Sequence, residues 1–334
     1  MENKQIRLAA RPTGLPTAEN WQLTTEETPP LSSGDVLVQT ELLSLDPAMR
    51  GWMNVGRSYI RPVEIGEVMR ASGAGRVVAS ENEKFNVGDY VVGTFGIQEY
   101  YFAKEGKHLT KVDTRLAPLS KWMSVLGMTG MTAYFGLLDV AEPKAGDTVV
   151  VSGGAGAVGS VVGQIAKIKG CRVVGIAGGT EKVDYMLNVL GYDDAIDYRV
   201  GNLRTALRRA CPDGINVYFD NVGGDTLDIC LSLLAMKARV VICGAISQYN
   251  NAEGAVGPKA YLSLLVNRAR MEGFVVFDYA DRYHLAIQDM AGWMKEGKLK
   301  SDEFIVEGGV VDFPETLLTL FEGDKIGKLL LKIA

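Results

Sequence analysis

The stretch VVVSGGAGAVGSVVGQIAKIKG, residues 149–170, decides the fold. A β-branched run gives way to Gly153-x-x-Gly156-x-x-Gly159, and a helix-like pattern follows over Ala157–Lys169. Such a loop needs three things: a tight turn, close approach of backbone to a pyrophosphate, and close helix–strand packing. The helix N-terminus then offers unpaired N–H groups and the positive end of its dipole to the phosphates. A glycine pattern alone says little. This one lies between a strand and a helix, with the next strand directly behind it, so Gly153, Gly156, Ala157, Val158 and Gly159 are expected to hold a dinucleotide.

Working outward, further strand patterns lie at Arg172–Ala177, Ala195–Asp197, Val217–Phe219, Arg239–Cys243 and Gly273–Phe277, after the first at Thr148–Ser152. Helix-like stretches precede and separate the early ones, at Val125–Leu138, Ala157–Lys169 and Lys182–Leu190. Strand–helix alternation at this spacing means a parallel sheet covered on both faces, and right-handed crossovers make it doubly wound. The first 120 or so residues read differently. Val36–Leu45, Gly75–Ala79, Tyr90–Phe95 and Gln98–Lys104 are short strand patterns between Gly, Asn and Asp, which suggests a small sheet or barrel. The tail from about Asp302 turns β-like again and is expected to return to that first domain. The boundaries are therefore 1–121 with 302–334 for one domain, and 122–301 for the Rossmann domain.

The tip of the second strand selects the cofactor. NAD-binding folds place an acidic side chain there for the ribose hydroxyls. Here the strand runs into Gly178-Gly179-Thr180, and Lys182 follows. Glycine leaves room for a 2′-phosphate and lysine supplies a counter-charge, which favours NADPH over NADH. Tyr198, after the third strand, offers a hydroxyl to the same phosphate. Without a ligand, Lys182 reads as a solvated lysine of the first turn and Tyr198 as a packing aromatic.

Composition narrows the rest. The 334 residues suit two domains of roughly 100–200 residues each. A net charge of -5 argues against non-specific nucleic-acid binding. No apolar run reaches the roughly 20 residues of a membrane span, and no signal peptide is evident. Cys171, Cys211, Cys230 and Cys243 show no close spacing, so a reducing cytoplasm is expected. Catalytic zinc needs three ligands from Cys, His and carboxylates, yet the only histidines are His108 and His284 and the first 120 residues hold no cysteine. No metal site is expected, and the two histidines read as ordinary surface or packing residues.

Several segments together resemble a known family. They are SLDPAMRGWM (44–53), GEVMRASGAGRVVAS (66–80), GMTGMTAYFGLLDV (127–140), GAGAVGSVVGQIAKIKGC (154–171), YFDNVGG (218–224), VICGAISQYN (241–250) and GFVVF (273–277). In this order they resemble the zinc-independent medium-chain dehydrogenase/reductases. Within these the likeness is to the prostaglandin reductase / leukotriene hydroxydehydrogenase group, with its plant double-bond reductases and bacterial curcumin reductases. The resemblance implies a GroES-like β-barrel-type substrate domain beside the Rossmann domain, a cleft between them and a homodimer. It implies NADPH contacts at Gly156 to Gly159, Lys182, Tyr198, Asn221, the loop Cys243, Gly244, Ala245, Ile246, Ser247 to Tyr249, and Phe274, Val275 and Val276. A further contact, often asparagine in the group, falls on Lys325 here.

The implied reaction is reduction of the α,β double bond of enones and enals, with 2-alkenals, curcumin or 15-oxo-prostaglandins as substrate types. Tyr249 is the first candidate to donate to the enolate oxygen or supply the proton, and Tyr59 the second. A phenol stays protonated at neutral pH and can donate. Each also reads as a pocket-wall aromatic. Two alternatives stay open: an NADPH-dependent quinone reductase, and an NADPH-binding protein without catalysis.

Overall fold

The computed structural model describes residues 1–333. The described chain divides into two compact units: 1–123 with 303–323 and 329–333, and 124–302 with 324–328. Segment 324–328 therefore packs in the Rossmann unit, although the tail as a whole reads as part of the other. The reason is local. The Gly327 N–H donates to the Ala155 carbonyl at 2.9 Å, which ties the segment to the glycine loop.

The first unit begins with β1 (Glu2–Leu8) and β2 (Trp21–Glu27), an antiparallel pair. Then come β3 (Val36–Ser44), β4 (Ser72–Ser80), β5 (Tyr90–Thr94), β6 (Tyr100–Ala103) and β7 (Leu109–Lys111). β1 escapes a sequence reading because its inner face is partly polar. Asn3 and Gln5 are buried there. Their amides donate to Gln98 Oε1 at 3.0 Å each, and the Tyr100 N–H donates to Asn3 Oδ1 at 2.9 Å. Paired in this way, polar groups cost little to bury.

The second unit holds β8 (Thr148–Ser152), β9 (Arg172–Ala177), β10 (Asp194–Asp197), β11 (Ile215–Asp220), β12 (Leu234–Ile242) and β13 (Arg270–Gly273). Their order is β10-β9-β8-β11-β12-β13, all parallel. Val149, Val150 and Val151 are fully buried, as expected of a central strand covered on both faces. The chain leaves β8 in both directions across the sheet, so the switch point lies between β8 and β11. The last strand corrects the sequence reading. It ends at Gly273, and residues 276–282 form a 3-10 helix in place of a strand over Gly273–Phe277. Tyr279 stacks on Phe135 with ring centroids 4.9 Å apart, which favours a helical run over an extended one.

The tail returns as β14 (Glu303–Glu307) and β15 (Lys328–Lys332), β15 pairing with β3. Between them stands a ten-residue helix, Phe313–Glu322, where the sequence reads as β-like. Its signals are Pro314 in the first turn and Gly323 at φ 76° past its end. It buries Phe313 and Leu317 in a core shared with Ile6, Leu43, Met49, Met53, Leu329 and Leu331. Both chain ends thus close one hydrophobic core.

In the Rossmann unit the helix Gly159–Ile168 lies close to Tyr192. A Cβ on Gly163 would stand 2.0 Å from Tyr192 Cζ. Tyr192 cannot easily retreat, because it is buried and its hydroxyl donates to the Gly159 carbonyl at 2.7 Å. Gly292, in the helix Tyr283–Lys295, has nothing within 4 Å of such a Cβ. Gly163→Ala is expected to destabilise by about 1–3 kcal/mol through overpacking. Gly292→Ala should stabilise by about 0.4–1 kcal/mol. Thermal unfolding of both variants checks the opposite signs.

Candidate functional site

Parallel strands end at one edge of their sheet, so the loops after β8, β9, β10, β11, β12 and β13 share that edge. After β8, Gly153 turns at φ 62°, which glycine adopts without strain. The Gly156 N–H closes the turn on the Gly153 carbonyl at 2.9 Å. A Cβ at Gly159 would stand 2.2 Å from that same carbonyl, so the helix can start this close only from glycine. At Gly156 a Cβ would meet only the Gly153 carbonyl, at 3.2 Å. The loop is bare on its other side, which fits close approach by a pyrophosphate.

The tip of β9 is as glycine-rich as its sequence suggests, and a second cation stands over it. A Cβ on Gly178 would lie 2.6 Å from Arg199 Nε and 2.9 Å from the Tyr198 ring. Arg199 rests over that ring, 6.0 Å from its centroid, and pairs with Asp324 at 3.5 Å. Burial and the repulsion of Arg199 push the Lys182 ammonium below its ordinary pKa, with Asp324 and Glu181 opposing. Two cations held together in this way suit a dianion. Sequence reading found Lys182 and Tyr198 and missed Arg199. The available signal was its place beside Tyr198, directly after the third strand.

At the switch point, Asp220 organises the edge. It is buried, and its Oδ1 accepts from Ser152 Oγ at 2.9 Å, Tyr218 Oη at 2.7 Å, the Val222 N–H at 3.1 Å and the Gly223 N–H at 3.0 Å. Its backbone carbonyl accepts the N–H groups of Cys243 and Gly244. Asn221 is fixed in turn, donating from Nδ2 to the Ser152 carbonyl at 2.7 Å. The loop after β12 is stitched to this one by Ile246 N–H to the Asn221 carbonyl and Ser247 Oγ to the Val222 carbonyl at 2.7 Å. Sequence reading gives Asp220 no role, because Ser152, which binds its carboxylate, lies 68 residues away.

Tyr249 closes that loop on itself. Its hydroxyl accepts the Ala245 N–H at 3.1 Å, and a Cβ on Gly244 would lie 2.8 Å from it. The Cys243 thiol is pushed up to about 12 by burial and by Asp220, so it stays protonated. Beyond β13, Phe274 packs where Gly136 leaves room: a Cβ there would be 2.5 Å from its ring. Val275 continues in extended backbone, and the Val276 carbonyl accepts from Tyr283 Oη at 3.0 Å. Lys325 lies on segment 324–328, which Gly327 bridges to Gly156. Every cofactor candidate thus belongs to the second unit.

Tyr59 belongs to the first unit and is not part of this sheet edge. It is exposed, and its hydroxyl accepts from Trp52 Nε1 at 3.1 Å. Among the described residues no three His, Cys, Asp or Glu side chains converge as metal ligands. No helix among them is long and apolar enough to cross a membrane.

Two family models match the chain. Residues 4–112 match the N-terminal domain of oxidoreductase and residues 157–292 match the zinc-binding dehydrogenase model. The NADPH-dependent curcumin reductase of Escherichia coli is 41% identical, over 99% of this chain and 97% of that protein. The NADP(+)-dependent 2-alkenal reductase of Nicotiana tabacum is 39% identical, over 100% and 98%. The crystal structure of CurA from Vibrio vulnificus in complex with NADPH superposes with a TM-score of 0.94, at 42% identity and 99% coverage of both chains.

Proposed function

The chain belongs to the zinc-independent branch of the medium-chain dehydrogenase/reductases that holds the prostaglandin, curcumin and 2-alkenal reductases, and on that premise we propose that it reduces the activated carbon–carbon double bond of enones and enals with NADPH. One observation carries the cofactor reading: the glycine tip of β9 bears no carboxylate of its own, and Arg199 lies over it with its charge reaching Lys182. The choice of a double bond as the target rests on what the named relatives act on.

Bound NADPH supplies a hydride to the β-carbon of the substrate. The protein's own contribution is placement. The Gly153–Gly159 loop and the helix behind it hold the pyrophosphate with backbone N–H groups. Lys182, Arg199 and Tyr198 hold the 2′-phosphate, and Lys325 approaches from its own loop. Asn221, locked on Ser152, and Phe274–Val276 set the orientation of the nicotinamide end. Tyr249 donates from its phenol to the substrate oxygen as charge develops there, and the α-carbon is then protonated. Its position supports this role, because the Ala245 N–H fixes the phenol oxygen in the loop after β12.

The reading extends to assembly and compartment. β13 is an end strand whose four residues are all exposed, bonded to β12. Beside it the helix Leu262–Asn267 buries no residue, and Leu265 and Val266 are 75% and 64% exposed. An open edge and an apolar helix side by side invite a second copy of the same sheet. The four cysteines are free thiols, which agrees with a reducing cytoplasm.

NADPH consumption is expected with an enone or enal. Tyr249→Phe should lower that turnover roughly 100- to 1000-fold, and an unchanged turnover number removes Tyr249 from the chemistry. Calorimetry on Lys182→Ala and Arg199→Ala should show NADPH weakened by about 1.5–3 kcal/mol each, with NADH almost unaffected. Equal weakening of both nucleotides points to misfolding. Light scattering should give twice the 36.1 kDa chain mass, and Leu265→Asp with Val266→Asp should halve it. A monomer in the unaltered protein excludes the pairing.

A further inference from the structure

The cations at the tip of β9 have a carboxylate partner from far along the chain. Asp324 opens the segment 324–328, which packs in the same unit as the parallel sheet. Two backbone bonds fix that segment: the Gly327 N–H on the Ala155 carbonyl at 2.9 Å, and the Lys328 N–H on the Asp302 carbonyl at 2.9 Å. Gly327 turns at φ 73°, and a Cβ there would stand 2.0 Å from the Asp302 carbonyl oxygen, so the anchor admits only glycine. Three residues before it, Asp324 Oδ1 lies 3.5 Å from Arg199 Nη2, and the two side chains are 66% and 43% exposed. Asp324 reaches Lys182 as well. Burial first, then Arg199, lower the pKa of that ammonium, and Asp324 opposes them with Glu181 behind it. Asp197, two residues before Arg199, is used differently: its Oδ1 accepts the Arg199 backbone N–H at 2.9 Å.

An exposed ion pair of this kind adds little to folding stability. Its charge matters more to a ligand. A phosphate that approaches Arg199 meets the Asp324 carboxylate on the same guanidinium, and two anions a few ångströms apart repel. We propose that Asp324 competes with the 2′-phosphate of the nucleotide for Arg199, and so weakens the hold of the site on NADPH and NADP+ alike. The inference rests on the reading of Lys182 and Arg199 as the 2′-phosphate site, and adds to that site a residue that opposes it. Such opposition suits turnover. The oxidised nucleotide carries the same phosphate and has to leave before the next hydride donor binds, and product release limits many enzymes. NADH has no 2′-phosphate to repel, so Asp324 narrows the preference for NADPH. It is a specificity-determining residue with no part in the bond changes.

The test is calorimetry with NADPH and with NADH on the unaltered protein, Asp324→Asn, Asp324→Glu and Asp213→Asn. Asp213 is exposed just before β11, at the opposite end of that strand, and controls for net charge alone. Asp324→Asn should bind NADPH roughly 3- to 10-fold more tightly, with NADH changed by less than about 2-fold. Asp324→Glu keeps the charge and should keep most of the unaltered affinity. In an Arg199→Ala background the gain from Asp324→Asn should shrink to about 2-fold or less. Stopped-flow release of NADP+ should slow in Asp324→Asn by the same factor as the gain in affinity. Unchanged or weaker NADPH binding in Asp324→Asn overturns the competition, and so does an equal gain for NADH or for Asp213→Asn. An unaltered protein that binds NADPH no more tightly than NADH overturns the 2′-phosphate site itself and the competition with it. A clear NADPH preference without a gain in Asp324→Asn overturns the competition alone.

Discussion

The site depends on one buried carboxylate. Asp220 closes β11 at the switch point of the parallel sheet, and its Oδ1 gathers donors from β8, from β11 itself and from the loop that follows. Its backbone carbonyl gathers two more from the loop after β12. A charge away from water must be met by several hydrogen bonds, and each unmet one costs about 1–3 kcal/mol. The side chain ties the end of β8 to that of β11, and the backbone carbonyl ties in the loop after β12. The glycine loop, Asn221 and the Cys243–Tyr249 loop inherit their positions from it. Asn221 is held on Ser152, the residue that also bonds Asp220, so that amide and the buried carboxylate share one anchor.

Charge works on a shorter scale than the whole molecule. The chain carries a net charge of -5, yet Lys182 and Arg199 converge at the tip of β9. Salt screens exposed charges beyond about 8 Å under physiological conditions, so the overall sign matters little there. The mutual repulsion and burial that hold the Lys182 pKa down are the terms a bound phosphate would reverse. Asp324, paired with Arg199, moderates the repulsion, and it lies on the segment that Gly327 ties to the glycine loop.

Sequence was informative wherever local chemistry has a period or a required residue. The six parallel strands were visible as short apolar runs, and five of them fell where expected, because strands covered on both faces must be apolar throughout. The glycines at 153, 156 and 159 announced their roles, since backbone conformation and close packing exclude a side chain there. Lys182 was legible from the missing carboxylate at the strand tip. Legibility failed where burial used polar residues. Asn3 and Gln5 hid β1, although each is paired across 90 or more residues of sequence. It failed again at residues 276–282, where aromatic stacking on Phe135 turns an apolar run into helix.

The sequence alone determined the Rossmann unit, its glycine loop and its preference for a phosphorylated nucleotide, since each follows from residues a few positions apart. Only the tertiary structure decided that Arg199 joins Lys182, that Asp220 braces the sheet edge, and that 324–328 packs against the glycine loop. Those facts depend on which distant donors and acceptors find one another, and hydrogen bonds between residues remote in sequence leave no periodic trace along the chain.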